Sequence, residues 1–374
     1  MPLYLDNNAT TALEPRVLEA MMPYLQSVYG NPSSVHRYGR LTRDAIEQAR
    51  VQVARLAGAQ PGQVIFTSGG TEANNLAING PLAHRTPARL AVSKIEHASL
   101  MEAAKNLSHS GWQLDLIDVD ASCRVIEEQL TSALHADTQL VSVMLANNET
   151  GVLQDIDKLA GLARDKGVLF HTDASQAAGK IALDFAASGV HLMTLSAHKM
   201  YGPQGAGALI ADRSVELKPL ISGGGQERGL RSGTENIAAI VGFGMAAELA
   251  MQGLQQRAEQ LQALRDALVV ALSQLDPVTL FAQDARRLPN TVQFAVDGFT
   301  GETLLMQLDR KGIAVSSGSA CHSGQAEPSH VLLAMGINEM TARNAIRVSF
   351  GRENTAEDVK QMMDALNQIV NLKS

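Results

Sequence analysis

Short apolar runs alternate with amphipathic stretches through most of the chain, and this alternation constrains the fold more than any other feature. The apolar runs are typical of buried strands and lie at residues 63–67, 90–93, 140–145, 168–171 and 192–195. Amphipathic stretches with helical spacing, such as residues 43–56 and 156–165, separate them. The pattern predicts an α/β fold in which helices cover both faces of a mainly parallel sheet.

A different pattern begins near residue 235. A helix-forming segment rich in alanine, glutamine and leucine covers residues 237–275. A strand is predicted at residues 291–296, a helix near residues 301–311 and a further strand that ends at Ser316. The C-terminus is predicted to be helical from residue 356 onward. We interpret this part as a smaller α+β domain, with the long helix as the bridge. The predicted division is a large domain over residues 15–255 and a small domain over residues 1–14 and 256–374, with a cleft between them.

The composition excludes several classes of protein. No stretch approaches the roughly 20 apolar residues that a membrane span needs, and the N-terminus lacks the pattern of a signal peptide. Only two cysteines are present, Cys123 and Cys321, which argues against a disulfide scaffold and favours a reducing compartment, so a cytoplasmic location is expected. The net charge of -7 without a basic block disfavours nucleic-acid binding, and the ten histidines show no metal-binding spacing, so no metal is predicted.

A glycine-rich turn follows the first predicted strand. The sequence Gly69-Gly70-Thr71-Glu72 opens a predicted helix, and the free N–H groups at such a helix start bind anions such as phosphate. An ordinary turn with Thr71 as the N-cap residue is the alternative interpretation.

Another predicted strand ends in a carboxylate, Asp173, and a lysine, Lys199, follows a later strand. Asp173 lies where sheet ends line a binding crevice, and a carboxylate there can keep a pyridine nitrogen protonated; a helix cap is the alternative. Gln176 lies three residues later. Lys199 follows the strand at residues 192–195, and a lysine with a lowered pKa forms Schiff bases. With Ser196 and His198 as phosphate ligands, this set indicates a pyridoxal 5'-phosphate (PLP) site.

Other candidate residues each allow two interpretations. His97 either stacks on a planar cofactor or caps a helix, and Asn148 either contacts a cofactor or substrate oxygen or belongs to a structural turn. Arg347 either binds a carboxylate or forms an ion pair. Thr234 ends the glycine-rich segment 222–234, which either is a flexible surface loop or completes an anion site.

The two cysteines differ in their surroundings. Cys321 lies in Ser316-Ser317-Gly318-Ser319-Ala320-Cys321-His322-Ser323-Gly324, a loop too polar and too rich in glycine and serine to form core. A thiol on a mobile loop, combined with the electron sink that PLP provides, indicates sulfur chemistry. Cys123 lies in a turn, and we expect it to have no function.

Taken together, these motifs resemble the NifS/IscS-type cysteine desulfurases, which are PLP enzymes of fold type I in the class V aminotransferase family. The resemblance runs from residues 4–10 through residues 30–34 and the motifs above to Arg352. It implies a large domain with a mainly parallel sheet of the seven-stranded type, a smaller α+β domain, and a homodimer.

The resemblance also implies a role for each candidate residue. Lys199 would hold PLP as a Schiff base, Asp173 would pair with the pyridine nitrogen, and Gln176 would contact the ring hydroxyl. His97 would stack on the ring and handle protons. The implied phosphate ligands are Gly70, Thr71, Ser196, His198 and, from the other subunit, Thr234. The implied ligands of the substrate carboxylate are Asn148, which also borders the cofactor, Arg347 and Asn31.

In the implied reaction, L-cysteine becomes L-alanine. The Lys199 amine removes the α-proton, and the Cys321 thiolate attacks the substrate sulfur and becomes a persulfide. The loop at about residues 316–329 resembles the mobile loop with an SSGSAC motif, which carries the persulfide to an acceptor protein.

Alternatives stay open at this point. A selenocysteine lyase or another class V PLP lyase would keep the PLP residues without needing Cys321, and a catalytically silent sulfur carrier or regulatory partner would keep only the fold. The chain ends at Ser374 soon after the last predicted helix, so we expect no C-terminal extension that docks a scaffold protein. The acceptor is therefore open among iron–sulfur cluster assembly, tRNA thiolation and DNA sulfur modification.

Overall fold

The computed structural model describes residues 2–317 and 327–371. The strands of this part of the chain are β1 (Leu3–Tyr4), β2 (Val64–Thr67), β3 (Arg89–Ser93), β4 (Gln113–Ile117), β5 (Thr138–Ser142), β6 (Leu169–Asp173), β7 (Leu192–Ser196), β8 (Gly207–Ala211), β9 (Val278–Leu280), β10 (Thr291–Val296), β11 (Ile313–Ala314), β12 (Ser316–Ser317) and β13 (Ala345–Ser349). Its α-helices are α1 (Pro15–Gln26), α2 (Arg37–Ala57), α3 (Gly70–Asn79), α4 (Ala98–Ser108), α5 (Glu127–Ala133), α6 (Ile156–Arg164), α7 (Phe185–Ser188), α8 (Ile237–Met251), α9 (Leu254–Leu272), α10 (Gly301–Arg310), α11 (His330–Ala334), α12 (Glu339–Arg343) and α13 (Ala356–Asn371).

The large sheet has seven strands in the order β2-β8-β7-β6-β5-β3-β4. Strands β7, β6, β5, β3 and β4 are parallel neighbours, and only β8 runs against the others. Successive residues of β2 show how both faces are covered. Ile65 belongs to a core cluster with Leu76 of α3, whereas Phe66 belongs to the opposite cluster with Val53 of α2 and Phe243 of α8. The predicted mainly parallel sheet of the seven-stranded type is confirmed.

The parallel arrangement places several strand ends at one edge of this sheet. The carboxyl ends of β2, β3, β5, β6 and β7 all lie there, because β2 runs opposite to β8, which in turn runs opposite to β7. The segments that follow these strands carry the candidate residues of the sequence analysis. Ligand sites of open α/β sheets lie at this edge.

A second sheet, in the order β12-β13-β10-β9, is antiparallel. Helices α9, α10 and α13 pack on it, and its core contains Leu264, Phe294, Leu304 and Leu366. Strand β1 pairs in parallel with β11, so the N-terminus joins this part of the chain. The division into residues 15–255 and residues 1–14 with 256–374 remains a prediction.

The predicted long helix over residues 237–275 is wrong. It is two helices, α8 and α9, bent by 75° at their junction. The chain leaves helical geometry at Gln252, which is extended, and Gly253, whose φ of 66° lies in the left-handed region that glycine adopts without steric cost. No single helix in the described residues is long and apolar enough to cross a membrane. The two helices of this bent pair reach the length and composition of a membrane span only when they are taken together.

A buried ion pair holds the glycine-rich segment that leads to Thr234. Arg50 of α2 donates from both terminal nitrogens to the carboxylate of Glu227, over 2.7 and 2.8 Å. The Phe66 N–H donates to the same carboxylate over 2.9 Å. Glu227 and Arg228 both have positive φ, at 45° and 59°, so this backbone turn is held in a strained conformation by its contacts.

Candidate active site

Lys199 lies in a 3-10 turn, Ala197–Lys199, directly after β7. Its amine donates to the main-chain oxygens of Asn8 and Ala9 over 2.6 and 2.7 Å. Burial, together with the nearby Arg347 guanidinium, lowers the pKa of Lys199 from 10.5 to about 8, against the opposite effect of Asp173 and Asp6. A lysine with such a pKa is the type that forms Schiff bases.

The N-terminal segment after β1 forms a wall of the site. The Asn8 side chain donates to Thr291 Oγ1 and to the main-chain oxygen of Asn148, over 2.9 and 3.2 Å. Thr11 donates from its N–H and its hydroxyl to the main-chain oxygen of His198. Sequence reasoning used this segment only as part of a resemblance and assigned none of its residues to the site.

Asp173 is the last residue of β6 and is buried. Its Oδ2 accepts a hydrogen bond from Asn74 Nδ2 over 2.8 Å, and its Oδ1 accepts from the Ser175 N–H over 2.9 Å. Turns rather than a helix follow it, so the helix-cap interpretation does not apply. Both oxygens are held in place, which fixes the direction of the carboxyl group toward the sheet edge.

Gly70 at the start of α3, Ser175 after β6 and Ser196 at the end of β7 form a cradle for an anion. The hydroxyl oxygens of Ser175 and Ser196 are buried, and neither has a hydrogen-bond partner within the described residues. A Cβ added to Gly70 would lie 3.3 Å from Ser175 Oγ and 3.8 Å from Ser196 Oγ. Unpartnered buried hydroxyls are costly, so their clustering beside a helix N-terminus fits a phosphate ligand.

The alternative in which Thr71 is the N-cap of this helix is wrong. The helix begins at Gly70, and its cap residue is Gly69, which has a φ of 155° and no atom within 4 Å of the position that a Cβ would take. Thr71 is therefore already inside the first turn and is exposed. Its hydroxyl and the N–H groups of that turn are available to an anion in the cradle.

Two histidines border the group. His198 Nδ1 lies 3.1 Å from Thr10 Oγ1, and burial with the nearby Lys199 charge lowers its pKa to about 4, so the ring is neutral at physiological pH. His97 is the N-cap of α4, where Nδ1 accepts from the Ser99 N–H over 3.1 Å. This confirms the capping interpretation but leaves Nε2 and the ring face for a ligand. Desolvation in the recess lowers the pKa of His97, with an opposite effect from Asp173.

Arg347 and the asparagines lie on the side of the site toward the second sheet. Arg347 Nη2 is 2.6 Å from Asp6 Oδ1, and its Nη1 donates to the main-chain oxygen of Asn148 over 3.0 Å. The ion-pair interpretation thus holds, with Arg347 buried and Asp6 half-buried. Arg347 Nε has no partner within the described residues. The structural turn is built by Asn147, whose Oδ1 accepts from the N–H groups of Glu149 and Thr150, while Asn148 is partly exposed.

Two candidates are not joined to this group in one protomer. Asn31 is exposed, and its side-chain oxygen accepts from the Ser33 N–H in a turn before α2. Thr234 is also exposed and lines a recess with Ser68 and Gly205.

Cys321 lies outside the described residues, but both flanks of its segment are described. Ser316 of β12 is paired with Arg347 of β13, which places the start of the segment beside the site. After the segment, Ser329 donates to the buried carboxylate of Glu149 over 2.5 Å. Cys123 is buried, has a φ of 66°, and its pKa is raised to about 12 by burial. These features fit the expectation that Cys123 has no function.

Sequence reasoning missed three buried ionisable residues near the site. Glu96 accepts from Ser93 Oγ and from the Met144 N–H, both over 2.6 Å, and burial raises its pKa to about 8. Glu149 contacts Ser329, as described. Lys180 is fully buried four residues after Gln176. A signal for Lys180 existed, because a lysine flanked by Ala177, Ala178 and Ile181 has no polar neighbour in sequence.

The Ser196 hydroxyl provides a test of the cradle. Replacing Ser196 with alanine should weaken PLP binding about tenfold or more, because a hydrogen bond to a charged group is lost. The variant should not lower the thermal stability of the cofactor-free protein, since the hydroxyl has no partner there. Binding of pyridoxal, which lacks the phosphate, should be unchanged. Ser108→Ala on the surface is the control, and equal losses for PLP and pyridoxal would contradict the assignment.

The comparisons with known proteins agree on one family. The sequence model "Aminotransferase class-V" matches residues 3–362. A protein from Dictyoglomus turgidum named "Cysteine desulfurase IscS" is 42% identical over 371 residues, covering 98% of this chain and 94% of the relative. A solved structure titled "NIFS-LIKE PROTEIN" is 36% identical, covers 100% of both chains and has a TM-score of 0.93. Another, "SspA in complex with cysteine", is 32% identical, covers 94% of this chain and all of the other, and has a TM-score of 0.83.

These similarities confirm the predicted PLP-dependent fold type I and do not favour the alternative of a selenocysteine lyase or a silent carrier. The cradle at Gly70 and the low-pKa Lys199 fit the cofactor of such enzymes. The chain therefore belongs to the class V aminotransferase family, among its NifS/IscS-type, PLP-dependent cysteine desulfurases.

Proposed function

We propose that this chain converts L-cysteine to L-alanine and that Cys321 receives the sulfur as a persulfide. One observation carries the proposal. The low-pKa amine of Lys199, the carboxylate of Asp173 and the unpartnered hydroxyls of Ser175 and Ser196 converge at one edge of the large sheet. No simpler structural role accounts for unsatisfied hydroxyls beside a half-buried lysine whose pKa is lowered.

The cofactor ring is assigned to the space between Lys199, Asp173 and His97. Lys199 would hold PLP through its amine, Asp173 would contact the pyridine nitrogen, Gln176 would contact the ring hydroxyl, and the His97 ring would lie against the cofactor ring. PLP supplies an electron sink that acidifies the substrate α-carbon and makes its Cβ–S bond breakable. The support is that Lys199 and Asp173 both influence the pKa of His97, which places the three side chains together.

The phosphate is assigned to the cradle at the start of α3. Its ligands would be the N–H groups of Gly70 and Thr71, the hydroxyls of Thr71 and Ser196, and the His198 ring. His198 is neutral, so it donates one N–H without adding a charge. Ser175 joins this set on the basis of its position, although the sequence did not single it out.

The substrate carboxylate is assigned to Arg347, with Asn148 and Asn31 as further ligands. The Arg347 guanidinium already contacts Asp6 and the main-chain oxygen of Asn148, and its Nε is left over for an incoming carboxylate. Arg347 also lowers the pKa of Lys199. The residue that orients the substrate therefore favours the neutral amine that takes up the α-proton at Lys199 Nζ.

The sulfur step joins Cys321 to this site. The Cys321 thiolate attacks the substrate sulfur, an S–S bond forms, and the Cβ–S bond breaks with its electron pair left on the substrate carbon. That carbon takes up a proton and becomes the methyl group of alanine. The pairing of Ser316 with Arg347 supports this role, because it starts the cysteine-bearing segment beside the proposed substrate carboxylate ligand.

The role of Cys321 has a direct test. Wild-type protein with L-cysteine and a thiol reductant should release alanine and sulfide in equal amounts, and without reductant should carry one extra sulfur atom on the Cys321 peptide in mass spectra. Cys321→Ala should lose both products, because no other thiolate receives the sulfur. Cys123→Ala is the matched control and should keep both, since Cys123 is buried with a raised pKa. Undiminished alanine from Cys321→Ala would contradict the assignment.

We further propose a homodimer in which Thr234 completes the phosphate site of the partner. Thr234 is exposed, and the strained loop that leads to it is held by the buried Arg50–Glu227 pair. Large apolar side chains are exposed within residues 18–41, from α1 to the start of α2, at Leu18, Leu25, Tyr29, Val35 and Leu41. Exposed apolar patches of this kind mark interfaces.

Subunit complementation tests the shared site. Lys199→Ala and Thr234→Ala should each lower activity at limiting PLP. A mixed dimer made by co-expression with two affinity tags should regain one native site, because intact Lys199 of one subunit meets intact Thr234 of the other. If Thr234 serves its own subunit, the mixed dimer stays as impaired as the parents. Activity is measured per mixed dimer at limiting PLP.

The acceptor is assigned to a protein thiol in the cytoplasm, as in iron–sulfur cluster assembly or a thiolation relay. A persulfide passes its outer sulfur to an attacking thiolate. The net charge of -7 without a basic block supports a protein rather than a nucleic acid as the immediate acceptor.

A further inference from the structure

We infer that Lys180 is a positioning residue, which fixes the side-chain amide of Gln176 so that its N–H groups face the cofactor ring. This inference deepens the proposed function and rests on the assignment of Gln176 to the ring hydroxyl. No motif in the sequence analysis included Lys180. It lies in the turn after β6 and is buried behind the site.

Lys180 has unusual surroundings for a buried lysine. Its amine donates to Gln176 Oε1 over 2.9 Å and to Asn8 Oδ1 over 3.1 Å. In the described residues it forms no ion pair with a carboxylate, and the charges that act on it are the cations Lys199 and Arg347. A buried lysine held only by two amide oxygens costs stability relative to an apolar residue, which indicates that its donors have a task.

The task follows from the donor and acceptor inventory of the three groups. A lysine amine donates in either charge state and a protonated one cannot accept, whereas an amide has one accepting and one donating end. Because the Lys180 amine donates to both amide oxygens, it holds Gln176 Oε1 toward itself. Gln176 Nε2 must then point the opposite way, and it donates one of its N–H groups to the main-chain oxygen of Asn8 over 2.9 Å.

The second N–H of Gln176 Nε2 is left for an acceptor in the site. A flipped amide would present Oε1 to the ring oxygen of the cofactor and would repel it. The same lysine orients Asn8, whose Oδ1 also accepts from Asn290 Nδ2 over 3.0 Å. Asn8 also provides a main-chain oxygen that contacts Lys199. Lys180 is therefore linked through Gln176 to the proposed contact with the ring hydroxyl, and through Asn8 to Lys199.

The backbone around Lys180 is built to bring it to this position. Gly179 has a φ of 75°, and a Cβ there would lie 3.0 Å from Met200 Cβ and 3.2 Å from Ala250 Cβ. Its main-chain oxygen accepts from Arg257 of α9 over 3.1 Å. Glycine adopts this left-handed, closely packed turn without steric cost, and the turn lets the Lys180 side chain reach back to Gln176.

The test is a pH titration of the visible absorption of PLP-loaded protein. A hydrogen bond from Gln176 to the ring oxygen stabilises its anionic form, so losing this bond should raise the pH midpoint of the absorption change by about one unit. Lys180→Met and Gln176→Leu should each cause this rise. The double variant should match Gln176→Leu alone, because Lys180 acts through Gln176. Lys105→Met, on the exposed surface of α4, is the control and should leave the midpoint unchanged.

If Lys180→Met does not fold, Lys180→Ala takes its place. A water in the vacated space can donate or accept, so it does not fix the amide, and the same rise is expected. Two results would overturn the role of Lys180 without touching the proposed function. The first is an unchanged midpoint in the Lys180 variants while Gln176→Leu shifts, and the second is a double variant whose shift equals the sum of the two single shifts. If wild-type protein takes up no PLP, the proposed function itself fails.

Discussion

The contact of the Lys199 amine with the main-chain oxygens of Asn8 and Ala9 is the interaction on which the site depends. It joins the end of β7 in the large sheet to a segment that bridges to β13 of the second sheet at Asp6 and Ser349. The half-buried amine lies among partly compensated charges, and desolvation lowers its pKa to about 8. Without this contact Lys199 would be a solvated surface lysine, which keeps its ordinary pKa and stays protonated and unreactive at neutral pH.

The charges around this contact are balanced rather than simply paired. Lys199, Lys180 and Arg347 lie close enough to affect one another, and Asp6 and Asp173 oppose them. Two of these cations keep depressed pKa values because burial disfavours their charged forms. An incoming carboxylate and a phosphate would each bring negative charge to this cationic group, so the protein is electrostatically prepared for an anionic cofactor and substrate.

Much of the fold and part of the site could be predicted from the sequence. Apolar runs identify the parallel strands, and residues that follow them, such as Gly70, Asp173 and Lys199, must meet at one sheet edge. The contacts that tune the site were not predictable, because Lys199–Asn8, Lys180–Asn8 and Arg347–Asp6 join residues 191, 172 and 341 positions apart. The break at Gly253 was missed because a helix-forming composition outweighs one glycine in a pattern.

Identification of the lysine that carries the cofactor is the decisive measurement for this site. Purified PLP-loaded protein would be reduced with borohydride, digested and sequenced by mass spectrometry. We expect the pyridoxyl mass on Lys199 and on no other lysine, with Lys180 unmodified although it is buried nearby. A pyridoxyl group on Lys180 or on a surface lysine, or no pyridoxyl peptide in protein that has bound PLP, would contradict this expectation.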